Sequence, residues 1–107
     1  MNWSHSDARL WTLEQLAAHK EAHPDSPYRY IDFATGSSTT QPDGELLRAA
    51  FEWLASKPFV KSPKKAYIVR RGNESDPSDA PKGAWARISE EGIRVLEEHH
   101  TSQTKFP

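Results

Sequence analysis

The first apolar pattern along the chain has the period of a helix. Thr12 and Gln15 have the Thr-x-x-Gln spacing of a capping box, and Pro24 cannot continue a helix. The pattern therefore predicts a helix that begins at Thr12 and ends before Pro24, with a short turn or helix over residues 3–10 upstream. Its apolar face would consist of Leu13, Leu16 and Ala17.

The next hydrophobic segment, PYRYIDF at residues 27–33, is rich in aromatic and β-branched side chains. This composition favours a short strand. The alternation of apolar and polar positions is imperfect, so a second helix over residues 28–33 is the alternative that the pattern leaves open. The segment TGSSTTQPDG that follows, residues 35–44, has the composition of a loop.

A strongly amphipathic segment comes after this loop. Thr40 or Asp43 can cap its amino end, and Pro58 follows its carboxyl end. The pattern predicts a helix over about residues 43–57, with Arg48 and Glu52 on its outer side. The apolar face of this helix would consist of Leu47, Ala50, Phe51 and Leu54, widened by Leu46 and Trp53.

Two short strands are expected after this helix. AYIVR at residues 66–70 and AWARI at residues 84–88 are rich in β-branched and aromatic side chains. The segment between them, GNESDPSDAPKG at residues 72–83, is rich in Gly, Pro, Ser and Asp, which is typical of a mobile loop. Two strands joined by one loop are expected to pair antiparallel as a hairpin.

The last helix should start directly after the second of these strands. Ser89 suits the N-cap position, and Glu90 and Glu91 follow where the helix dipole favours negative charge. Gly92 weakens the first turn by about 1 kcal/mol relative to Ala, which indicates that another backbone segment passes close by. Residues 101–107, TSQTKFP, are typical of an untied tail.

Composition limits the fold to one domain with a small core. The chain has 107 residues, of which only 18 are Leu, Ile, Val or Phe, although four Trp and three Tyr add apolar area. Cysteine is absent, which excludes disulfides and thiolate metal sites. No apolar run approaches the length of a membrane span. We therefore expect a cytoplasmic domain over residues 1–100, flexible ends at 1–10 and 101–107, and no membrane partner.

The net charge of −1 conceals a strong segregation of charge along the chain. Residues 57–71 contain six basic side chains and no acidic one, whereas residues 1–56 have eight acidic and four basic side chains. A cluster of cations on an acidic background is typical of a surface that binds phosphate groups. The alternative is a solvated edge that discourages aggregation between strands.

Three motifs in the C-terminal half resemble those of a known fold. ELLRAAFEWLASKPFVKSP resembles a recognition helix with the turn after it, and KAYIVRR and AWARI are similar to the two strands of a wing. ISEEGIRVLEE is similar to the LTxxGrxxL ending of many bacterial winged-helix domains. The chain thus resembles a winged-helix (winged helix-turn-helix) domain. The resemblance implies an α+β fold with about three to four helices, a small antiparallel hairpin and a C-terminal helix.

This resemblance also implies a function. It suggests a bacterial or phage-type transcription regulator that contacts the phosphate backbone of double-stranded DNA, and homodimer formation stays open. The DNA-binding side chains would be Arg48, Lys57, Lys61, Lys64, Lys65, Arg70, Arg71, Lys82 and Arg87. The alternative is an adaptor or inhibitor that keeps the fold, does not bind DNA and docks a protein partner through acidic faces and surface aromatics. Trp53 and Trp85 would be its candidate anchors.

No motif in the chain indicates catalysis. His19 and His23 have the i,i+4 spacing of two metal ligands, but Lys20 occupies the position where the zincin motif requires Glu. A metal-dependent hydrolase built on His5, His19 and His23 would require a bound metal to be considered further. A nucleophile elbow and a phosphate-binding loop are also absent from the sequence. We therefore expect a protein that is not an enzyme and has no metal or cofactor.

Overall fold

Helices and a small antiparallel sheet make up the described part of the chain in a computed structural model. The structure describes residues 3–33, 40–56, 66–70, 83–102 and 106. Within these ranges the elements are α1 (His5–Ala22), β1 (Arg29–Asp32), α2 (Gly44–Ser56), β2 (Ile68–Arg70), β3 (Gly83–Ile88) and α3 (Glu90–Ser102). This confirms the α+β class. Of the predicted loops over residues 35–44 and 72–83, residues 35–39 and 72–82 lie outside the described residues.

The structure corrects the start of the first helix. Ser4, not Thr12, is the N-cap: its Oγ accepts a hydrogen bond from the Asp7 amide (3.0 Å), and the Asp7 carboxylate accepts one from the Ser4 amide (3.1 Å). Thr12 is fully buried inside the helix, where its hydroxyl donates to the Ala8 carbonyl (2.8 Å). The reciprocal cap at Ser4 satisfies two amides, and Thr12 is satisfied within the helix, so nothing interrupts α1 at Thr12.

The sheet has three strands in the order β1-β3-β2, and both pairs are antiparallel. The strand prediction for residues 28–33 is confirmed over Arg29–Asp32, which pairs with β3. The predicted hairpin between β2 and β3 is confirmed as well, with Ile68 opposite Ile88 and Arg70 opposite Ala86. Because side chains alternate along a strand, these four residues lie on one face of the sheet.

Helix α2 begins close to its predicted position. The Asp43 carboxylate accepts a hydrogen bond from the Leu46 amide (2.9 Å), so Asp43 rather than Thr40 caps the helix. The predicted apolar face, Leu47, Ala50, Phe51 and Leu54, is confirmed as buried.

The direct junction between β3 and α3 is confirmed. Ser89 Oγ accepts a hydrogen bond from the Gly92 amide (3.0 Å), as an N-cap should. The same hydroxyl donates to the Ala66 carbonyl (2.6 Å), and the Ser89 amide donates to the Tyr67 carbonyl (3.0 Å). Ser89 therefore both starts α3 and fastens it to the residues that precede β2.

The hydrophobic core lies between the helices and one face of the sheet. Helix α1 packs against α2, α3 and β3, and α2 packs against β2. The core contains buried residues from every helix and strand of the described part, among them Leu13, Leu16, Ile31, Leu47, Phe51, Leu54, Tyr67, Ile68, Ala86, Ile88 and Leu96. Within the described residues, no helix is long and apolar enough to cross a membrane.

The sequence prediction of an untied tail is wrong at Phe106. Helix α3 continues to Ser102, and the Phe106 side chain is only 4% exposed in the core. Its ring meets His99 edge-on with centroids 5.7 Å apart, and its carbonyl accepts a hydrogen bond from the Ser6 hydroxyl. An aromatic side chain near the chain end can bury enough apolar area to offset the entropy of ordering the few residues around it.

Candidate nucleic-acid interface

Three of the nine predicted DNA-binding side chains lie in the described part of the chain. They are Arg48 on α2, Arg70 at the end of β2 and Arg87 on β3. The other six predicted side chains, Lys57, Lys61, Lys64, Lys65, Arg71 and Lys82, lie outside the described residues. The candidate interface is therefore described by the three arginines and by the described residues that adjoin the other six positions in the sequence.

Arg70 projects from the face of the sheet that packs on α2. Its guanidinium lies 5.1 Å from the centre of the Phe51 ring, within the range of a cation–π contact. The Nε atom is buried and makes no hydrogen bond to any residue that the structure describes. The aromatic ring therefore packs against the guanidinium of this half-buried side chain.

Arg48 lies beside the same aromatic cluster. Its guanidinium is 5.4 Å from the centre of the Phe33 ring. Phe33 and Phe51 meet edge-on with centroids 5.5 Å apart. Arg48 and Arg70 thus come from different elements, but each lies against one ring of the Phe33–Phe51 pair, so both cations belong to one aromatic cluster on the α2–β2 side of the molecule.

Arg87 is not brought together with these two arginines. It pairs with Val69, whereas Arg70 pairs with the adjacent residue Ala86. Because successive side chains of a strand point to opposite faces, Arg87 lies on the other face of the sheet from Arg70. There its guanidinium is 5.9 Å from the centre of the Tyr28 ring. Arg70 and Arg87 could not be assigned to different faces from the sequence, because the strand register was unknown.

The two described ends of the lysine-rich segment meet at one place. The Tyr67 amide donates a hydrogen bond to the Leu54 carbonyl in the last turn of α2 (2.9 Å). Residues 57–65, which contain four of the predicted lysines, connect these two points in the sequence. The chain therefore leaves α2 and returns to it at the carboxyl end of the same helix that carries Arg48.

Arg9 adds a cation that the sequence analysis missed. Its guanidinium lies 4.2 Å from the centre of the Trp53 ring, and Trp53 lies 5.9 Å from Tyr67. Burial lowers the pKa of the Arg9 guanidinium from its ordinary value, but arginine is basic enough to stay charged at neutral pH. Because the sequence predicted that α1 starts at Thr12, Arg9 was placed outside this helix. Its position beside α2 was therefore not expected.

The outward side of α2 has the opposite charge. Glu45 and Glu52 are both exposed on this helix, and its remaining described side chains are mostly apolar. Base edges in the major groove are read by Arg, Lys, Asn and Gln side chains, with Asp or Glu accepting only from cytosine. The composition of α2 therefore fits contacts to the DNA phosphate backbone from the flank that carries Arg48. It fits base reading from the exposed side less well.

The histidines do not form a metal site with other described residues. His19 and His23 have ring centroids 4.7 Å apart, and His19 Nε2 is 3.0 Å from the Ser26 carbonyl oxygen. Within the described ranges, no group of three or more His, Cys, Asp or Glu side chains is arranged to hold a metal ion. These residues therefore offer no position from which a metal-dependent reaction could be derived.

A second notable surface lies on the other side of the sheet. We call it the outer sheet face and define it by Tyr28, Tyr30, Asp32, Trp85 and Arg87. Tyr30 pairs directly with Trp85, and their ring centroids are 5.5 Å apart. Both side chains are 42% exposed, and they are the large hydrophobic residues that the described part exposes most. Trp53, the other suggested protein anchor, is half-buried against Tyr67 and Arg9 instead.

Comparisons with protein-family models, with curated proteins and with solved structures find no match to this chain. Any assignment of function has to come from the arrangement of its own residues.

Proposed function

We propose that this chain is a non-enzymatic module of the winged-helix kind that binds the phosphate backbone of double-stranded DNA. The observation that carries the proposal is the placement of Arg48 and Arg70 on either member of the Phe33–Phe51 pair. We further propose that it acts in the cytoplasm as a bacterial or phage-type transcription regulator.

The arrangement of the two arginines suits phosphate binding. Each guanidinium rests against an aromatic ring, which restricts the side chain before any ligand arrives. A restricted side chain loses less conformational entropy on binding than a free one. Arginine also presents several N–H donors in a planar fork that matches phosphate oxygens. Two such groups on one aromatic cluster can each contact a phosphate of the backbone.

The sequence supplies further cations next to these positions. Arg71 directly follows Arg70, and the segment from residue 57 to residue 65 starts and ends at the α2–β2 junction. Because several neutralised phosphates are needed for appreciable affinity, this accumulation of positive charge within residues 57–71 of the sequence supports DNA as the ligand. The exposed Glu45 and Glu52 on α2 favour contacts that depend little on base sequence.

The proposal is tested by titrating a fluorescent DNA duplex with the protein and following anisotropy at several salt concentrations. Binding should weaken steeply between about 50 mM and about 200 mM salt. A variant in which Gln replaces Lys64, Lys65, Arg70 and Arg71 should lose most of the duplex binding. Lys20→Gln, a neutralisation on α1, is the control and should leave the affinity unchanged. Absence of duplex binding at the lowest salt concentration would contradict the proposal.

A second candidate function, a protein-interaction module such as an adaptor or inhibitor, is favoured by the outer sheet face. Exposed Tyr and Trp side chains are enriched among residues that dominate binding energy in protein interfaces. Tyr30 and Trp85 form such a pair. If this function holds, replacing both with Ala should remove a stoichiometric protein partner while duplex binding is unaffected.

A further inference from the structure

The outer sheet face is organised in three rows across strands β1 and β3. The central row is the aromatic pair Tyr30 and Trp85. One end row is Asp32 opposite Gly83, and the other end row is Arg87 beside Tyr28. The face therefore carries an acidic side chain at one end, aromatic rings in the middle and a basic side chain at the other end.

The central row is fixed in place by a glycine. A Cβ atom at Gly83 would overlap the ring of Tyr30 and the Ile31 carbonyl, so the ring lies directly on the Gly83 backbone. An aromatic ring that covers a cross-strand glycine in this way is held close to the sheet. Tyr30 nevertheless remains 42% exposed and is accessible to a partner.

The charged ends are suitably spaced for contacts on both sides of the aromatic row. Asp32 pairs with Gly83, and Arg87 lies four residues further along β3. At about 3.3 Å per residue, the two ends are about 13 Å apart along the strands. The aromatic row lies midway between them.

We propose that the outer sheet face binds a second copy of this chain and forms a two-fold symmetric dimer. The axis would lie between the two sheets, run across the strands and pass over the Tyr30–Trp85 row. Such a rotation places Asp32 of each copy over the Arg87 end of the other, and each contact occurs twice. The aromatic rows stack at the centre, with the two sheets about 10 Å apart.

Charge complementarity favours a second copy over other occupants. A nucleic acid would need several cations, but this face has one described arginine, and its charge is balanced by the exposed carboxylate of Asp32 at the other end. In the second copy the strands run in the reverse direction. The acidic end of each copy then lies over the basic end of the other. The face is formed by only three short strands, and small interfaces are characteristic of weak complexes. We therefore expect a dissociation constant in the micromolar range.

The dimer is tested by sedimentation equilibrium of the full chain without nucleic acid, from about 5 µM to about 500 µM, a range that brackets micromolar affinity. Wild type should pass from monomer to dimer over this range. Trp85→Ala, Asp32→Arg and Arg87→Asp should each weaken association about tenfold or more, because they remove the central contact or bring like charges together. Asp25→Arg, an exposed acid-to-base change after α1, is the matched control and should have no effect.

A mixture of the two charge-reversed variants tests the dimer more specifically. Asp32→Arg and Arg87→Asp copies each fail to pair with themselves, but a mixed dimer restores opposite charges at both contacts. An equimolar mixture should therefore associate about as strongly as wild type. Circular dichroism checks that each variant is folded, and Trp85→Gln replaces Trp85→Ala if that variant is not. The proposal is overturned by a wild-type monomer at every concentration, by association that these variants do not change, or by a mixture that stays monomeric. None of these results bears on duplex binding, which is measured separately.

Discussion

Gly92, in the first turn of α3, lies directly against the backbone carbonyl of Tyr67. A Cβ atom at Gly92 would overlap that oxygen and would come within 2.7 Å of Ile88 Cγ1. This contact confirms the close backbone approach predicted from a glycine at this position. It belongs to the same junction in which Ser89 is hydrogen-bonded to Ala66 and Tyr67.

Gly92→Ala should destabilise the protein, although the same change in an open helix would stabilise it by about 1 kcal/mol. The added methyl group must displace backbone, so we expect a loss of about 2–3 kcal/mol in the free energy of unfolding. Urea denaturation measures it. Glu97→Ala, an exposed position in the same helix, is the control and should change stability by less than about 0.5 kcal/mol. A stabilised Gly92→Ala variant would show that α3 does not close against Tyr67.

Ser89→Ala removes the N-cap of α3 and the hydrogen bond to Ala66 together. The Gly92 amide and the Ala66 carbonyl both lose their partner. We expect a loss of about 1–2 kcal/mol in the free energy of unfolding, measured by urea denaturation. Ser89→Thr keeps a hydroxyl that can both accept and donate, and it should retain most of the stability. Equal losses in the two variants would argue against a role for the hydroxyl.

Phe106→Ala tests whether the end of the chain belongs to the core. The side chain is almost fully buried and contacts His99, so its removal should cost about 3 kcal/mol in the free energy of unfolding. Thermal unfolding followed by circular dichroism is sufficient to detect this loss. An unchanged melting temperature would mean that residues 101–107 are the untied tail that the sequence predicted.

Alkaline pH should weaken the fold partly through Tyr67. Burial, with a smaller contribution from Glu91, raises the pKa of its hydroxyl above the ordinary value near 10. The unfolded chain therefore loses this proton at lower pH than the folded chain, and stability declines as pH rises above about 10. The urea midpoint should fall less between about pH 8 and about pH 11 in Tyr67→Phe than in wild type. An equal fall in Tyr67→Phe and in wild type would exclude this contribution.

Local signals in the sequence predicted most of the fold. The strands Arg29–Asp32 and Ile68–Arg70, the amphipathic face of α2 and the cap at Ser89 all follow from patterns within a few residues. The failures involve contacts between distant residues or competing signals. The cap-like spacing at Thr12 misplaced the start of α1, which the reciprocal cap of Ser4 and Asp7 sets instead. The burial of Phe106 depends on α1 and α3, which no local pattern near residue 106 indicates.

Of the candidate site, the sequence could predict only that basic residues cluster in one segment. The cluster of cations over residues 57–71 is visible in the sequence, but the separation of Arg70 from Arg87 depends on strand register. The placement of Arg48 and Arg70 on one aromatic cluster depends on how α2 packs on β2, and that of Arg9 depends on how α1 packs on α2. Charge patterns indicate a class of ligand, whereas tertiary packing decides which cations can act together.

The most direct test of DNA binding through the α2–β2 side compares arginines on the two faces of the sheet. The salt dependence of duplex affinity is measured by anisotropy for wild type, for Arg48→Gln combined with Arg70→Gln, and for Arg87→Gln, after circular dichroism confirms folding. The double variant should bind more weakly, and its slope of log affinity against log salt should be shallower by about 2, one unit for each lost phosphate contact. Arg87→Gln should match wild type. An unchanged slope in the double variant, or an equal loss in Arg87→Gln, would contradict this account.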